Sequence, residues 1–286
     1  MTLTIYETVT STIIAALRRG VVPWRKPWSG GNATPVNAIS QRPYRGVNVF
    51  LLSLTEYSDH RWLTQRQAEE KGASVKPDER STMVVFWKRW QPPVGEDEPD
   101  SSVKRPAPVL RYFRVFNAEQ CEGLNLPAPY DPPEADHQRI ARADQLVQSM
   151  PNPPIIREGS AAWYRPADDL VQVPPLRSFK SADSYYATLF HELGHASGSA
   201  SRLNRAGVTD QIQFGSGTYS KEELVAELTS AFLCASVSLD NSVIEDSASY
   251  IQGWLSVLRA DPKAVVIAAA QAQKAADHIK GVQYGL

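Results

Sequence analysis

The stretch that decides how this chain is read is Tyr185-Tyr186-Ala187-Thr188-Leu189-Phe190-His191-Glu192-Leu193-Gly194-His195. It lacks proline and is apolar on one side, which suits a helix, and on a helix residues four apart share a face. His191 and His195 can therefore meet one ion, which is the physical content of a His-Glu-x-x-His pattern. Zn²⁺ accepts imidazole nitrogen at about 2.0–2.1 Å, and a catalytic site keeps one position for water. Glu192 then stands as general base beside a water whose pKa the ion lowers toward about 7. Two of the chain's five histidines lie in this motif. The others, His60, His137 and His278, have no comparable setting.

Two imidazoles hold zinc weakly, so a third ligand is expected. Ser220-Lys221-Glu222-Glu223-Leu224-Val225-Ala226-Glu227-Leu228 offers Glu223 and Glu227 at i and i+4, with Leu224, Leu228, Ala231 and Phe232 left to pack a core. In zinc peptidases whose third ligand is a glutamate, a second helix carries E-x-x-A-[D/N]. The first acid binds metal, and the residue four later orients a ligand histidine. Glu223-Leu224-Val225-Ala226-Glu227 is similar, with Glu in the last place, so Glu223 is assigned as ligand and Glu227 as the residue behind a histidine. Ser220-x-x-Glu223 also fits a capping box at a helix start, and in that reading Glu227 is the ligand. Arg202 and Tyr219 flank the site as candidates for steadying an oxyanion. Leu170-Val171-Gln172-Val173 is a candidate edge strand for a peptide substrate.

The rest of the chain fits a globular protein. Of 286 residues, 42% are hydrophobic and 21% charged, ample for real cores and unlike a disordered or disulfide-built chain. Only Cys121 and Cys234 are present, which suggests reduced thiols and a cytoplasmic setting. No apolar run is long enough for a membrane span, and the first residues do not read as a secretion signal. The net charge of −1 conceals an asymmetry. Residues 1–130 hold 17 basic against 13 acidic side chains, whereas residues 131–286 hold 13 against 18. Five of the seven tryptophans also lie in the first 90 residues.

Four prolines between 127 and 133 mark a stiff linker, which divides the chain into residues 1–126, a linker over 127–135, and residues 136–286. Upstream, helices are expected over 5–17 and 62–71, a long loop over 23–48, and strands over 83–87 and 110–116. The intervening 91–108 loop carries the acidic run Glu96-Asp97-Glu98. Downstream, short strands over 161–164 and 170–173 accompany helices over 137–150, 184–196, 222–236, 247–259 and 262–279. Both halves are thus α+β, the second mainly helical with a small sheet.

The front half interleaves rings and cations in its loops: Trp24-Arg25-Lys26-Pro27-Trp28, then Tyr44-Arg45-Gly46-Val47-Asn48, then Trp62. Single-stranded nucleic acid is bound by such surfaces, rings stacking on unpaired bases while cations track phosphates. Trp24, Arg25, Lys26, Trp28, Tyr44, Arg45, Asn48 and Trp62 are the candidate contacts. Trp and Tyr are also ordinary core residues, and the two readings compete at every ring.

These residues, with Val84-Val85-Phe86-Trp87 and Val115-Phe116-Asn117, resemble the ssDNA-binding N-terminal domain of ArdC-type antirestriction proteins, which TraC-type plasmid primases share. The back half is similar to that family's zincin-like metallopeptidase domain through His191 to His195, Ser201-Arg202-Leu203, Tyr219 and Glu222 to Leu228. Relatives often carry Trp where this chain has Ala196. The resemblance implies a plasmid-encoded protein that binds ssDNA without strong sequence preference and shields incoming conjugative DNA from host restriction. It implies Zn²⁺, with Mn²⁺ or another divalent ion as alternative, and a protein or peptide substrate for an active peptidase. The rival reading is a pure ssDNA-binding antirestriction protein whose metal site is structural.

Overall fold

The computed structural model describes residues 4–24, 34–55, 57–89, 108–127, 136–209, 217–240 and 248–282. The front domain opens with α1 (Ile5–Arg18), started by a capping box in which Thr4 and Glu7 satisfy each other's backbone N–H. Val9, Ile13, Ala16 and Leu17 form its buried face. There follow β1 (Val36–Asn37), α2 (Val47–Ser53), β2 (Arg61–Leu63), α3 (Gln65–Glu70), β3 (Ser74–Val75), β4 (Thr82–Arg89), β5 (Pro108–Asn117) and β6 (Cys121–Glu122). A four-stranded sheet has the order β1-β2-β5-β4, and β3 pairs with β6.

Two expectations are corrected here. Residues 62–71 are not one helix, because Thr64 caps α3 with Gln67 and thereby separates it from β2, where Trp62 pairs with Asn117. The expected loop over 23–48 contains β1 and runs into α2. Asn48 on that helix is 4% exposed. Its carboxamide accepts from the Val85 N–H and donates to the Val85 carbonyl, both at 2.7 Å. The free edge of β4 is thus sealed by a side chain at its midpoint.

The second domain comprises α4 (Asp136–Gln148), β7 (Ile155–Glu158), β8 (Trp163–Arg165), β9 (Leu170–Val173), α5 (Ala182–Ala196), α6 (Ala206–Thr209), α7 (Gly217–Ser236), α8 (Ala248–Ala260) and α9 (Ala264–Ile279). Its sheet has the order β7-β9-β8, so the candidate edge strand 170–173 is central, buried and paired on both sides. The free edges belong to β7 and β8. No helix among the described residues is long and apolar enough to cross a membrane.

Beyond Pro127, the proline-rich stretch lies outside the described residues. The two domains nevertheless share one hydrophobic core, running from Val9, Ile13, Trp24 and Phe50 to Phe232, Trp254, Val265 and Ala269. Trp24 meets Trp254 edge-on at 5.1 Å, and Phe50 stacks on Phe232 at 5.0 Å. Thr10 adds a hydrogen bond to the Pro262 carbonyl at 2.7 Å. Trp24 therefore acts as mortar between domains. Trp24→Ala is expected to cost about 3–5 kcal/mol of stability in chemical denaturation, the loss typical of a buried aromatic.

Candidate functional site

The site is made where α5 lies against α7. Gly194 faces Ala226 so closely that a Cβ added to it would stand 3.1 Å from the Ala226 Cα and 3.3 Å from its carbonyl oxygen. Any side chain there would force the helices apart. The missing Cβ lets the histidine face of α5 and the glutamate face of α7 converge.

His191 Nε2 and His195 Nε2 stand 3.2 Å apart. Glu223 reaches both, its carboxylate oxygens 3.5 Å from each Nε2. Ligands at zinc distances in a tetrahedron are separated by about 3.3–3.5 Å, so the two ring nitrogens and the Glu223 carboxylate fit one small divalent cation. Among the described residues, His191, His195 and Glu223 are the group of ligating side chains that converges. His60 and His278 do not join it, and the side chain of His137 lies outside the described residues.

Behind the ligands stands a carboxylate for each imidazole. Glu227 lies 3.7 Å from His191 Nδ1, and Glu222 lies 3.6 Å from His195 Nδ1. Carboxylates in that position fix ring orientation and raise ligand basicity. Glu227 lies behind His191, where the sequence places it, and Glu222 was not among the candidates because it sits one residue from Glu223 and so off the i, i+4 face. Glu222 is itself held by Arg205 at 2.6 and 3.1 Å, and Arg205 binds the Gly194 carbonyl and Ser197 Oγ. Burial works against the Glu222 charge, but His195 and Arg205 outweigh it and hold the carboxyl below its usual range. A glutamate beside the ligand and an arginine in the preceding Gly/Ser-rich loop were the available signals.

The capping-box alternative is corrected by the extent of α7, which begins at Gly217 and leaves Ser220 inside the helix. Glu223 is therefore not in a capping position. Glu192 is 8% exposed. Burial pushes its carboxyl up, with the two imidazoles and a Tyr164 backbone hydrogen bond pulling it partly back. A raised pKa suits a group that takes and returns a proton near neutrality. Arg202 is spent on structure, binding Asp169 at 2.7 and 2.8 Å and the carbonyls of Asn152 and Ala196. The Tyr219 side chain lies outside the described residues.

The nucleic-acid candidates separate into three groups. Trp24 and Trp62 are 0% and 2% exposed and Asn48 is the edge plug, so none of the three offers a face to a base. This corrects the stacking expected of Trp24 and Trp62 and the DNA contact expected of Asn48: core packing won. Arg25, Lys26 and Trp28 lie outside the described residues. Tyr44 and Arg45 border an open groove, but Tyr44 is 7% exposed and packed against Trp62 and Val84, which corrects its stacking role as well, and Arg45 is paired to Asp277 on α9.

Fold and site define a two-domain protein whose second half is built like a zincin. Residues 4–116 match the N-terminal domain of anti-restriction factor ArdC, and residues 141–271 match a zincin-like metallopeptidase. The protein y4eC of Sinorhizobium fredii is 40% identical over 98% of this chain and 92% of its own length. The DNA primase TraC of Escherichia coli is 33% identical over 96% of this chain, which spans only 27% of the primase. The Mn(II)-bound crystal structure of the antirestriction protein ArdC from plasmid R388 superposes with a TM-score of 0.78 at 34% identity, covering 97% of each chain. Its metal-free structure gives 0.77. The chain belongs to the ArdC antirestriction family.

Two outcomes are expected at this centre. Metal content by mass spectrometry should collapse in Glu223→Ala, whereas Glu222→Gln and Glu227→Gln should weaken binding by about 10–100-fold. Without an ion, burial disfavours a charged His191, but Glu223, Glu227 and Glu192 outweigh it and push the imidazole up to about 9. A protonated ring cannot ligate, so metal must displace that proton. As pH falls below that value, affinity in chelator competition should drop by up to about tenfold per unit.

Proposed function

We propose that this chain is a plasmid-type antirestriction protein that binds single-stranded DNA without strong sequence preference and carries a metal-dependent peptidase. It would act in the cytoplasm and protect incoming conjugative DNA from host restriction. The hydrolytic half rests on one observation above others: His191, His195 and Glu223 converge at ligand spacing with Glu192 buried beside them. The donor set of two imidazoles and a carboxylate suits Zn²⁺ and also accepts Mn²⁺. Mn²⁺ is the ion named for the R388 relative.

In this reading a divalent cation supplies Lewis acidity toward a peptide carbonyl and a water. Glu192 takes the water's proton and returns it to the leaving amine. Glu227 and Glu222 keep the two imidazoles turned toward the ligand side. The buried walls of α5 and α7 limit bulk water around Glu192. The DNA half is supported by membership of the family and by the similarity to a DNA primase.

Glu192→Gln is the discriminating change, because it keeps shape and ligands while removing the base. It should leave fold and metal content intact and lower peptide hydrolysis by at least about 100-fold. Loss of protection in a conjugation assay would tie antirestriction to proteolysis. Protection that survives in a protein still binding oligonucleotide would favour the rival reading, in which the chain coats DNA and its metal centre is structural.

A further inference from the structure

Away from the metal centre, Phe86, Trp87, Tyr112 and Phe113 are 43–53% exposed on the β4–β5 hairpin. Strand register puts Phe86 and Phe113 on one face of the hairpin and Trp87 and Tyr112 on the other, and exposed rings paired in this way mark a surface that a partner uses. Strand β4 is the free edge of its sheet, and along it runs a groove of about 340 Å³. One wall is Tyr44, Arg45, Phe86 and Trp87 of the N-terminal domain, and the other is α9, with Lys274 at its rim. The exposed rings of Phe86 and Phe113 stand 5.7 Å apart, so the aromatic path leaves the groove and crosses the hairpin face, with the buried Tyr44 ring supporting Phe86 at 6.4 Å. Arg111 lies directly across from Phe86 and so on that same face. Among the described residues Asp277 on α9 is an acid of this region, and both Arg45 and Lys280 pair with it. Arg111 and Lys274 have no acidic partner among the described residues.

We infer that this groove is a composite track for single-stranded DNA, its rings supplied by the N-terminal domain and a phosphate contact by Lys274 on α9. The inference rests on the ssDNA reading proposed above and adds the path of the strand and the part played by the second domain. Flat rings beside Arg111 and Lys274, which have no acidic partner among the described residues, suit stacked bases with a phosphate backbone alongside. A polypeptide adding itself as a strand is disfavoured, because Asn48 already occupies the Val85 N–H and carbonyl at the middle of the edge.

The test is fluorescence anisotropy of a labelled oligothymidylate with the full chain across a salt series. Phe86→Ala should raise Kd about tenfold, the typical loss of one stacking ring. Lys274→Ala should reduce the slope of log affinity against log salt by about 0.7, one phosphate contact on a single strand. Arg66→Ala, on exposed α3 and already paired with Glu70, should change neither quantity. Both test residues are exposed, and melting curves check that the variants fold. Wild-type binding left unaltered by Phe86→Ala and Lys274→Ala would overturn the inference, spare the ssDNA reading and leave the groove to a polypeptide. An altered Kd with an unchanged salt slope in Lys274→Ala would overturn the composite track. A wild-type chain with no salt-dependent binding would overturn both the inference and the reading beneath it.

Discussion

The close approach of two helices at Gly194 and Ala226 is the constraint on which the convergence of His191, His195 and Glu223 depends. Ligand atoms must come within a few ångströms of one another, yet helices carrying ordinary side chains pack at about 8–10 Å between axes. Removing one Cβ brings the α5 and α7 backbones near enough for short histidine and glutamate side chains to meet. Ser230 reinforces the contact, its hydroxyl donating to the Ala187 carbonyl at 2.7 Å. Leu193, Leu224 and Leu228 fill the space on either side.

That geometry concentrates four carboxylates, Glu192, Glu222, Glu223 and Glu227, around two imidazoles. Such a cluster is held in a folded protein only when cations answer it. Arg205 answers Glu222 from within the chain. In the proposed function a divalent cation held by His191, His195 and Glu223 answers the others. The excess of acid in the second half of the sequence has one of its physical reasons here.

The front domain is governed by a different limit. Its sheet ends at β4, and an open edge invites unwanted pairing. Asn48 closes that edge with one side chain, α2 carries the asparagine there, and the 43–46 segment leads into α2 beside the groove. The same helix carries Phe50, which stacks on Phe232 and meets Trp24, so closing the sheet and joining the domains draw on one element. A linker rich in proline had suggested two bodies on a tether; the shared core makes them a continuous interior.

What the sequence determined unaided was local. Spacing of four on a helix put His191 with His195 and Glu223 with Glu227, β-branched and aromatic content marked strands β4 and β5, and helical spacing marked most helices. Short pieces escaped it: β1, α2, β7 and the break at Thr64 have too few residues to show a period, and neighbours rather than propensity hold them. Only tertiary structure decided which rings are mortar and which face water, because Trp24, Trp62 and Phe86 are chemically alike and differ in what is packed against them. It also decided that Glu222 and Arg205 serve His195, since carboxylate, guanidinium and imidazole meet through folding from three separate segments. Sequence distance carries no record of that meeting.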